Sequence, residues 1–166
     1  MVQNGLNDAF LLLGSNLGDV RQNMIDAQKK ITESIGPIVT KSSIYKTAPW
    51  GITNQPEFLN QVVLVNTSLD PTALLSKAMS IEHEMGRLRK EKWQARIIDL
   101  DILFYNDEII NEKNLTIPHP GIPVRRFTLK PLVEIAPDYI HPVYLRKLSD
   151  LLNECDDQSP VTQTDL

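Results

Sequence analysis

The sequence has little of what stabilises secreted proteins or anchors proteins in membranes. Its 166 residues contain one cysteine, Cys155, which excludes an internal disulfide framework and indicates a reducing compartment. Residues 9–13 form an apolar run that is too short for the core of a signal peptide. No run approaches the ~18 apolar residues of a membrane-spanning helix. We therefore expect a cytoplasmic protein with no membrane segment.

An excess of basic charge is also absent. The net charge is -4, and four acids near the C-terminus account for it, so residues 1–152 carry equal numbers of acids and bases. A neutral body argues against a nucleic-acid binder, which usually presents a broad basic face. We predict a single domain over residues 1–152, expected to be monomeric. Residues 153–166 are predicted to be a disordered acidic tail, because they have few apolar groups to offset the entropy of ordering.

Hydrophobic periodicity predicts the element order β-α-β-β-α-β. Strands are predicted at residues 9–13, 38–46, 58–67 and 97–105, and helices follow the capping residues Asp19 and Asp70. A short strand at 109–110 and helices near 128–136 and 145–153 follow. This order predicts an α+β fold of the ferredoxin-like type, an antiparallel sheet with two helices on one face and C-terminal additions.

Two aspartates in the last main strand are the sharpest chemical signal. Side chains alternate along a strand, so Asp99 and Asp101 share a face with Cα atoms ~6.6 Å apart, while Leu100, Ile102 and Phe104 face the core. Paired carboxylates with no nearby cysteine favour Mg²⁺ over zinc. The alternative is a solvent-exposed face on which each aspartate pairs with an arginine.

A basic segment stands directly before this strand. Residues 86–96 contain five bases and one acid, and His119, Arg125 and Arg126 follow later. Basic groups beside a metal-binding acidic pair are typical of a bound polyphosphate. The alternative is a solvated loop, although Trp93 at its centre favours a ligand.

Five separated motifs follow one another in the chain: residues 14–18 (GSNLG), 45–51 (YKTAPWG), 55–60 (QPEFLN), 92–101 (KWQARIIDLD) and 115–120 (LTIPHP). Together they resemble the 6-hydroxymethyl-7,8-dihydropterin pyrophosphokinase family, in register from about residue 9 to residue 152. The resemblance implies transfer of pyrophosphate from ATP to the hydroxymethyl group of the dihydropterin, with release of AMP, in folate synthesis.

The resemblance also implies roles for individual residues. Asp99 and Asp101 would bind two Mg²⁺ ions, and the residues implied in catalysis are Arg87, Arg96, Asp99 and Asp101. Those implied in ATP binding are Leu75, Arg87, Arg89, Trp93, Arg96, Ile102, Leu115, Thr116, His119 and Arg125, with Arg89 and Trp93 on a loop that closes over the phosphates. Those implied in pterin binding are Thr47, Ala48, Trp50, Phe58, Asn60 and Phe127.

Two other functions fit parts of the pattern. A palm-like nucleotidyl transferase or cyclase also sets paired aspartates on a ferredoxin-like sheet, but it would release pyrophosphate instead of AMP. An RNA-recognition module would need exposed aromatic side chains on the sheet face, where this sequence has Asp99 and Asp101.

Overall fold

The computed structural model describes residues 6–48, 54, 56–86 and 97–165. The elements in these ranges are β1 (Asn7–Ser15), α1 (Val20–Ser34), β2 (Ile38–Lys41), β3 (Ile44–Thr47), β4 (Phe58–Thr67), α2 (Pro71–Glu84), β5 (Asp99–Tyr105), β6 (Ile110–Glu112), β7 (Leu115–Ile117), α3 (Arg126–Ile135), α4 (Leu148–Asn153) and β8 (Val161–Thr164). The ferredoxin-like order is confirmed. None of the helices so described combines the length and apolar character needed to cross a membrane.

The main sheet is antiparallel, with the order β5-β1-β4-β3-β8 and with β2 also paired to β4. The single strand predicted at residues 38–46 is in fact two strands, β2 and β3. Ser42 separates them, because its hydroxyl accepts a hydrogen bond from the Val62 N–H at 3.0 Å. A side chain thus takes part in the ladder where a continuous strand would use only its backbone.

Both main helices begin at the predicted capping residues. The Asp19 side chain accepts a hydrogen bond from the Gln22 N–H, and the Asp70 side chain accepts one from the Ala73 N–H, with Pro71 in the first turn. These caps satisfy backbone donors that a helix start leaves unpaired. The start of each helix is therefore encoded locally.

Apolar side chains cover both faces of the sheet. Alternate residues of β1 divide between two cores, with Leu11 and Leu13 packing towards α1 and α2, and Phe10 and Leu12 packing towards α3 and α4. The C-terminal additions therefore close the second face of the sheet. Short β6 pairs with β7 as a separate hairpin and does not extend the main sheet as a return strand.

The alternation of β5 changes phase at Leu103. Phe10 pairs with Phe104 but Leu11 pairs with Ile102, so one residue of β5 is extra. As a result Phe104 packs in the core on the α3 side, and the prediction that it shares a face with Leu100 and Ile102 is wrong.

The C-terminal segment is ordered, and the prediction of a disordered tail is wrong for residues 153–165. Cys155 is buried, and β8 pairs with β3 over four residues. The Gln163 side chain donates to the Ser43 hydroxyl at 3.0 Å, and Arg21 donates to the backbone carbonyl of Asp165. Backbone pairing at a sheet edge provides the order that the low apolar content did not predict.

Candidate active site

Gly14 of β1 lies between predicted pterin-binding and metal-binding residues. It pairs with Asn60 on β4 and with Asp99 on β5, so these positions share one face of the sheet. A Cβ atom at Gly14 would stand 3.1 Å from Asn60 Oδ1, 3.7 Å from Phe58 Cδ1 and 4.0 Å from Asp99 Cβ. Because Gly14 has no side chain, Asn60, Phe58 and Asp99 come close together around it, and we call the place where they meet the Gly14 hollow.

The acidic pair lies at one side of this hollow. Asp99 pairs with Gly14 and Asp101 with Leu12, so both carboxylates project from the α3 side of the sheet, as the strand period predicts. Both residues are half-buried. The predicted shared face of the pair is thus confirmed.

The donor chemistry of the pair fits a hard cation only in part. Two carboxylates supply oxygen ligands of the kind that Mg²⁺ prefers. Across the described ranges, no group of three or more histidine, cysteine and carboxylate side chains is arranged to hold a metal ion. A cation at this pair therefore needs further ligands from water or from a bound substrate.

A groove runs along the outer edge of β5. It has a volume of about 890 Å³ and lies between α2 and β5, with Leu75, Met79, Leu100, Asp101 and Asn114 among its lining residues. Asp101 therefore borders the groove that contains Leu75, a predicted adenine-pocket residue. Of the other three residues of that predicted pocket, Ile102 and Leu115 are buried, and Thr116 is exposed on β7.

Glu82 is a groove residue that the sequence reasoning missed. It is buried on α2, and its Oε2 accepts a hydrogen bond from the Leu100 N–H at 3.0 Å, on the outer edge of β5. Its position in the sequence could have indicated burial, because Glu82 stands seven residues after Leu75 and therefore on the apolar side of the helix. The carboxylate satisfies an edge donor beside Asp101.

His119 is fixed in one orientation by two backbone contacts. Its backbone N–H donates to the Leu103 carbonyl at 3.0 Å, and its ring Nδ1 accepts from the Gly121 backbone N–H at 2.9 Å. Burial, followed by the positive charge of Arg125, lowers the pKa of His119 to about 4. The ring is therefore neutral at pH 7, with its proton on Nε2.

Arg125 packs against the same turn. A Cβ atom at Gly121 would meet the Cδ, Nε and Cζ atoms of Arg125 at 3.0 Å, so glycine allows the side chain to lie flat on the backbone. The Arg125 Cζ is also 6.0 Å from the centre of the Phe127 ring. Arg125 thus connects the predicted phosphate contact His119 to the predicted pterin contact Phe127.

The predicted pterin-binding residues come from three elements. On β4 and β3, Asn60 Nδ2 donates to the Thr47 hydroxyl at 2.7 Å, and each residue is only 4% exposed. Ala48 follows and is exposed, while Phe58 and Phe127 are half-buried. The hydrogen bond from Asn60 to Thr47 sets the direction of the amide, with Oδ1 on the side of the Gly14 hollow.

Several predicted residues lie outside the described part of the chain. These are Trp50, Arg87, Arg89, Trp93 and Arg96. Their roles, and the predicted closing of the loop around residues 87–95, stay predictions.

The chain is similar to known proteins of one family. The model of the family described as 7,8-dihydro-6-hydroxymethylpterin-pyrophosphokinase (HPPK) matches residues 10–137. A protein of Aquifex aeolicus named 2-amino-4-hydroxy-6-hydroxymethyldihydropteridine pyrophosphokinase is 43% identical over 145 residues, which cover 87% of this chain and 90% of that protein. A relative of the same name from Haemophilus influenzae is 43% identical over 135 residues, covering 81% of this chain and 84% of the relative.

Solved structures share the fold. The crystal structure described as Plasmodium falciparum HPPK-DHPS wild type with pteroate has a TM-score of 0.75 at 21% identity. The alignment covers 92% of this chain but only 45% of that one, so this chain spans less than half of the solved protein. The solved structure shows the fold alone, whereas the family match and the two relatives also show the family. The chain belongs to the 7,8-dihydro-6-hydroxymethylpterin-pyrophosphokinase family, the enzymes that transfer pyrophosphate from ATP to hydroxymethyldihydropterin in folate biosynthesis.

Proposed function

We propose that the Gly14 hollow and the groove along β5 are the two substrate sites of this pyrophosphokinase. The hollow would take the dihydropterin, and the groove would take ATP. The observation that carries the proposal is the position of Gly14, which pairs with Asn60 on one side and Asp99 on the other. An acceptor alcohol held near Asn60 would therefore lie beside the carboxylates that face the phosphates.

The groove offers an apolar floor for adenine and an acidic end for the phosphates. Leu75 and Met79 line it on the α2 side, and Leu100 lines it on the β5 side. Asp101 borders the same groove, so the phosphates of a nucleotide with its base beside Leu75 would reach the acidic pair. Ile102, Leu115 and Thr116 would complete the base pocket, as the family resemblance implies.

Asp99 and Asp101 would hold the divalent metal, which we propose to be two Mg²⁺ ions. Triphosphate oxygens are the natural source of the remaining ligands, because the acidic pair alone supplies too few. The ions would neutralise negative charge on the phosphates during transfer. The two aspartates would fix the position of that charge relative to the Gly14 hollow.

His119 would contribute as a neutral hydrogen-bond donor. Its Nδ1 is engaged by the Gly121 N–H, so Nε2–H is the group available to a phosphate oxygen. The guanidinium of Arg125, held flat on Gly121, would provide the positive charge at the same place. Arg87, Arg89, Trp93 and Arg96 would act on the phosphates from the loop that precedes β5.

The dihydropterin would be recognised by shape and by one amide. A flat bicyclic ring gains contact area from aromatic side chains, and Phe58 and Phe127 are the candidates. The Asn60 Oδ1 would accept a hydrogen bond from the polar edge of the ring, because the bond to Thr47 fixes the amide direction. Ala48 and Trp50 would belong to the same pocket.

Product identity tests this proposal. With Mg²⁺, ATP and hydroxymethyl-dihydropterin, the chain should release AMP and form the pterin diphosphate. Release of inorganic pyrophosphate with AMP attached to an acceptor would indicate nucleotidyl transfer and contradict the proposal.

We further propose that the enzyme is a cytoplasmic monomer without nucleic-acid or membrane partners. Size-exclusion chromatography would test the oligomeric state, and cell fractionation would test the location.

A further inference from the structure

The C-terminal segment returns to the candidate pterin site from outside the family match. The match ends at residue 137, whereas β8 and the residues before it follow α4. Two contacts bring this segment to the site. Asp157 bonds to the start of α3, and Val161 pairs with Thr47 on β3.

Asp157 caps α3 from a distant part of the chain. The residue at the capping position of α3, Arg125, makes no side-chain capping hydrogen bond. Instead, Asp157 Oδ2 accepts a hydrogen bond from the Arg126 N–H at 3.0 Å. Its Oδ1 accepts from the Ser159 N–H at 3.0 Å, so both carboxylate oxygens are engaged and the group has one orientation.

The charge of Asp157 agrees with this role. Burial alone would raise the pKa of the carboxyl, but hydrogen bonds from Ser159 and Arg126 and the charge of Arg126 outweigh it, so the pKa is lowered. The group is therefore ionised at neutral pH. A negative charge at a helix N-terminus is also favourable for the helix dipole.

The capped turn carries two of the residues that the proposed function places against the substrates. Arg126 is flanked by Arg125 and Phe127, and Arg125 lies over Gly121 beside His119. On the other side of the pocket, Val161 pairs with Thr47, whose hydroxyl accepts the bond from Asn60. A shift of the first turn of α3 would therefore move Phe127 and Arg125 together.

We propose that Asp157 is a positioning residue of this enzyme, which holds the first turn of α3 so that Phe127 and Arg125 meet the pterin and the phosphates. The proposal rests on the proposed function, since Phe127 is placed in the pterin pocket there. A carboxylate or amide at position 157 can make the bond, and an alanine cannot.

Steady-state kinetics on the full chain test the proposal with three variants. Asp157→Ala should raise the KM for the pterin about fivefold, which is the factor that corresponds to the free energy usually lost with a helix cap. Asp157→Asn keeps an acceptor and should stay within about twofold of the wild type. Asp156→Ala, at the exposed neighbouring acid, is the matched control and should leave the KM unchanged.

A double-mutant cycle separates positioning from general stabilisation. Arg126→Pro removes the N–H donor at a position where helices accept proline. In that background Asp157→Ala should change the pterin KM by no more than about twofold, because the bond is already absent. An equal rise in KM with and without Arg126→Pro would overturn the proposal.

Two further outcomes would also overturn it. One is a lower Tm for Asp157→Ala with an unchanged pterin KM, which would reveal a purely structural role. The other is an Asp157→Asn variant as impaired as Asp157→Ala, which would show that the hydrogen bond is not the cause. If Asp157→Ala does not fold, Arg126→Pro alone, which removes the donor of the same hydrogen bond, replaces it and should raise the pterin KM by a similar factor. An unchanged pterin KM in Arg126→Pro would then overturn the proposal. Failure of the proposed function is distinguishable, because the wild-type chain itself would then release no AMP.

Discussion

Asn60 and Asp99 lie on either side of a single glycine, on two strands that never pair with each other. β1 separates them, and its Gly14 is the residue opposite both. A group proposed to recognise the pterin and a group proposed to bind the metal thus flank one gap in the sheet face. The size of that gap depends on the absence of a side chain at Gly14.

Gly14→Ala tests the importance of the gap. The added methyl group would stand 3.1 Å from Asn60 Oδ1, so the amide must move by a few tenths of an ångström, which disturbs its hydrogen bond to Thr47. We expect the pterin KM to rise about tenfold, the equivalent of a mild overpacking cost. The KM for ATP should change much less. Steady-state kinetics with each substrate varied in turn provide the measurement.

Gly14→Ala made in an Asn60→Ser variant, which has a shorter side chain at position 60, is the control for that experiment. With the amide removed, the added methyl group at Gly14 has room, so Gly14→Ala should change the pterin KM by only about twofold in this background. A tenfold rise in both backgrounds would show that the methyl group acts elsewhere.

Substitution of the acidic pair should affect turnover. Asp101→Asn keeps the shape of the side chain but removes a charged ligand, and we expect kcat to fall at least about 100-fold at saturating Mg²⁺. Asp107→Asn, at an exposed turn residue after the same strand, is the control and should retain wild-type kcat. Near-normal turnover of Asp101→Asn would contradict the metal-binding role.

His119 should make stability depend on pH below neutrality. Burial and Arg125 lower its pKa to about 4 from the ordinary 6.5, so the unfolded chain binds this proton more readily than the folded chain. Above pH 6.5 the ring is neutral in both states, and the free energy of unfolding is not reduced. As the pH falls from 6.5 towards 4, the free energy of unfolding falls by at most about 1.4 kcal/mol per pH unit. NMR titration of the His119 ring should give a midpoint near pH 4, the lowered pKa of about 4. A midpoint close to 6.5 would contradict it.

Glu82 should stabilise the edge of β5 through its bond to the Leu100 N–H. Glu82→Leu leaves that buried donor unsatisfied, and we expect the free energy of unfolding in urea to fall by about 1–3 kcal/mol. Glu82→Gln keeps an acceptor and should lose less. Glu84→Leu, which removes a surface ion pair with Lys30, is the control and should cost about 0.5 kcal/mol. Equal losses for Glu82→Leu and Glu84→Leu would exclude the buried contact as the cause.

Local signals in the sequence predicted much of this fold. β4 has the predicted bounds, and both main helices begin after the predicted caps, because capping groups and strand periods involve neighbouring residues. The split at Ser42 and the bulge at Leu103 depend instead on partner strands. Their positions could not be found from segment composition alone.

The same division applies to the candidate site. The shared face of Asp99 and Asp101 follows from the strand period, so it was predictable. The positions of Asn60 and Asp99 on the two sides of Gly14 follow from the strand order, which local patterns do not give. The hydrogen bond between Asp157 and Arg126 joins residues far apart in the sequence. The acidic tail looked disordered because its order comes from hydrogen bonds and one edge strand rather than from apolar packing.

Proton relaxation of the bound pterin, with Mn²⁺ in place of Mg²⁺ and a non-hydrolysable ATP analogue present, tests the central claim most directly. If the acidic pair and the pterin share the Gly14 hollow, the hydroxymethyl protons should relax much faster in the wild-type complex. The enhancement should disappear when both Asp99→Asn and Asp101→Asn are introduced. Pterin that binds to the wild type with no enhancement would contradict the shared site.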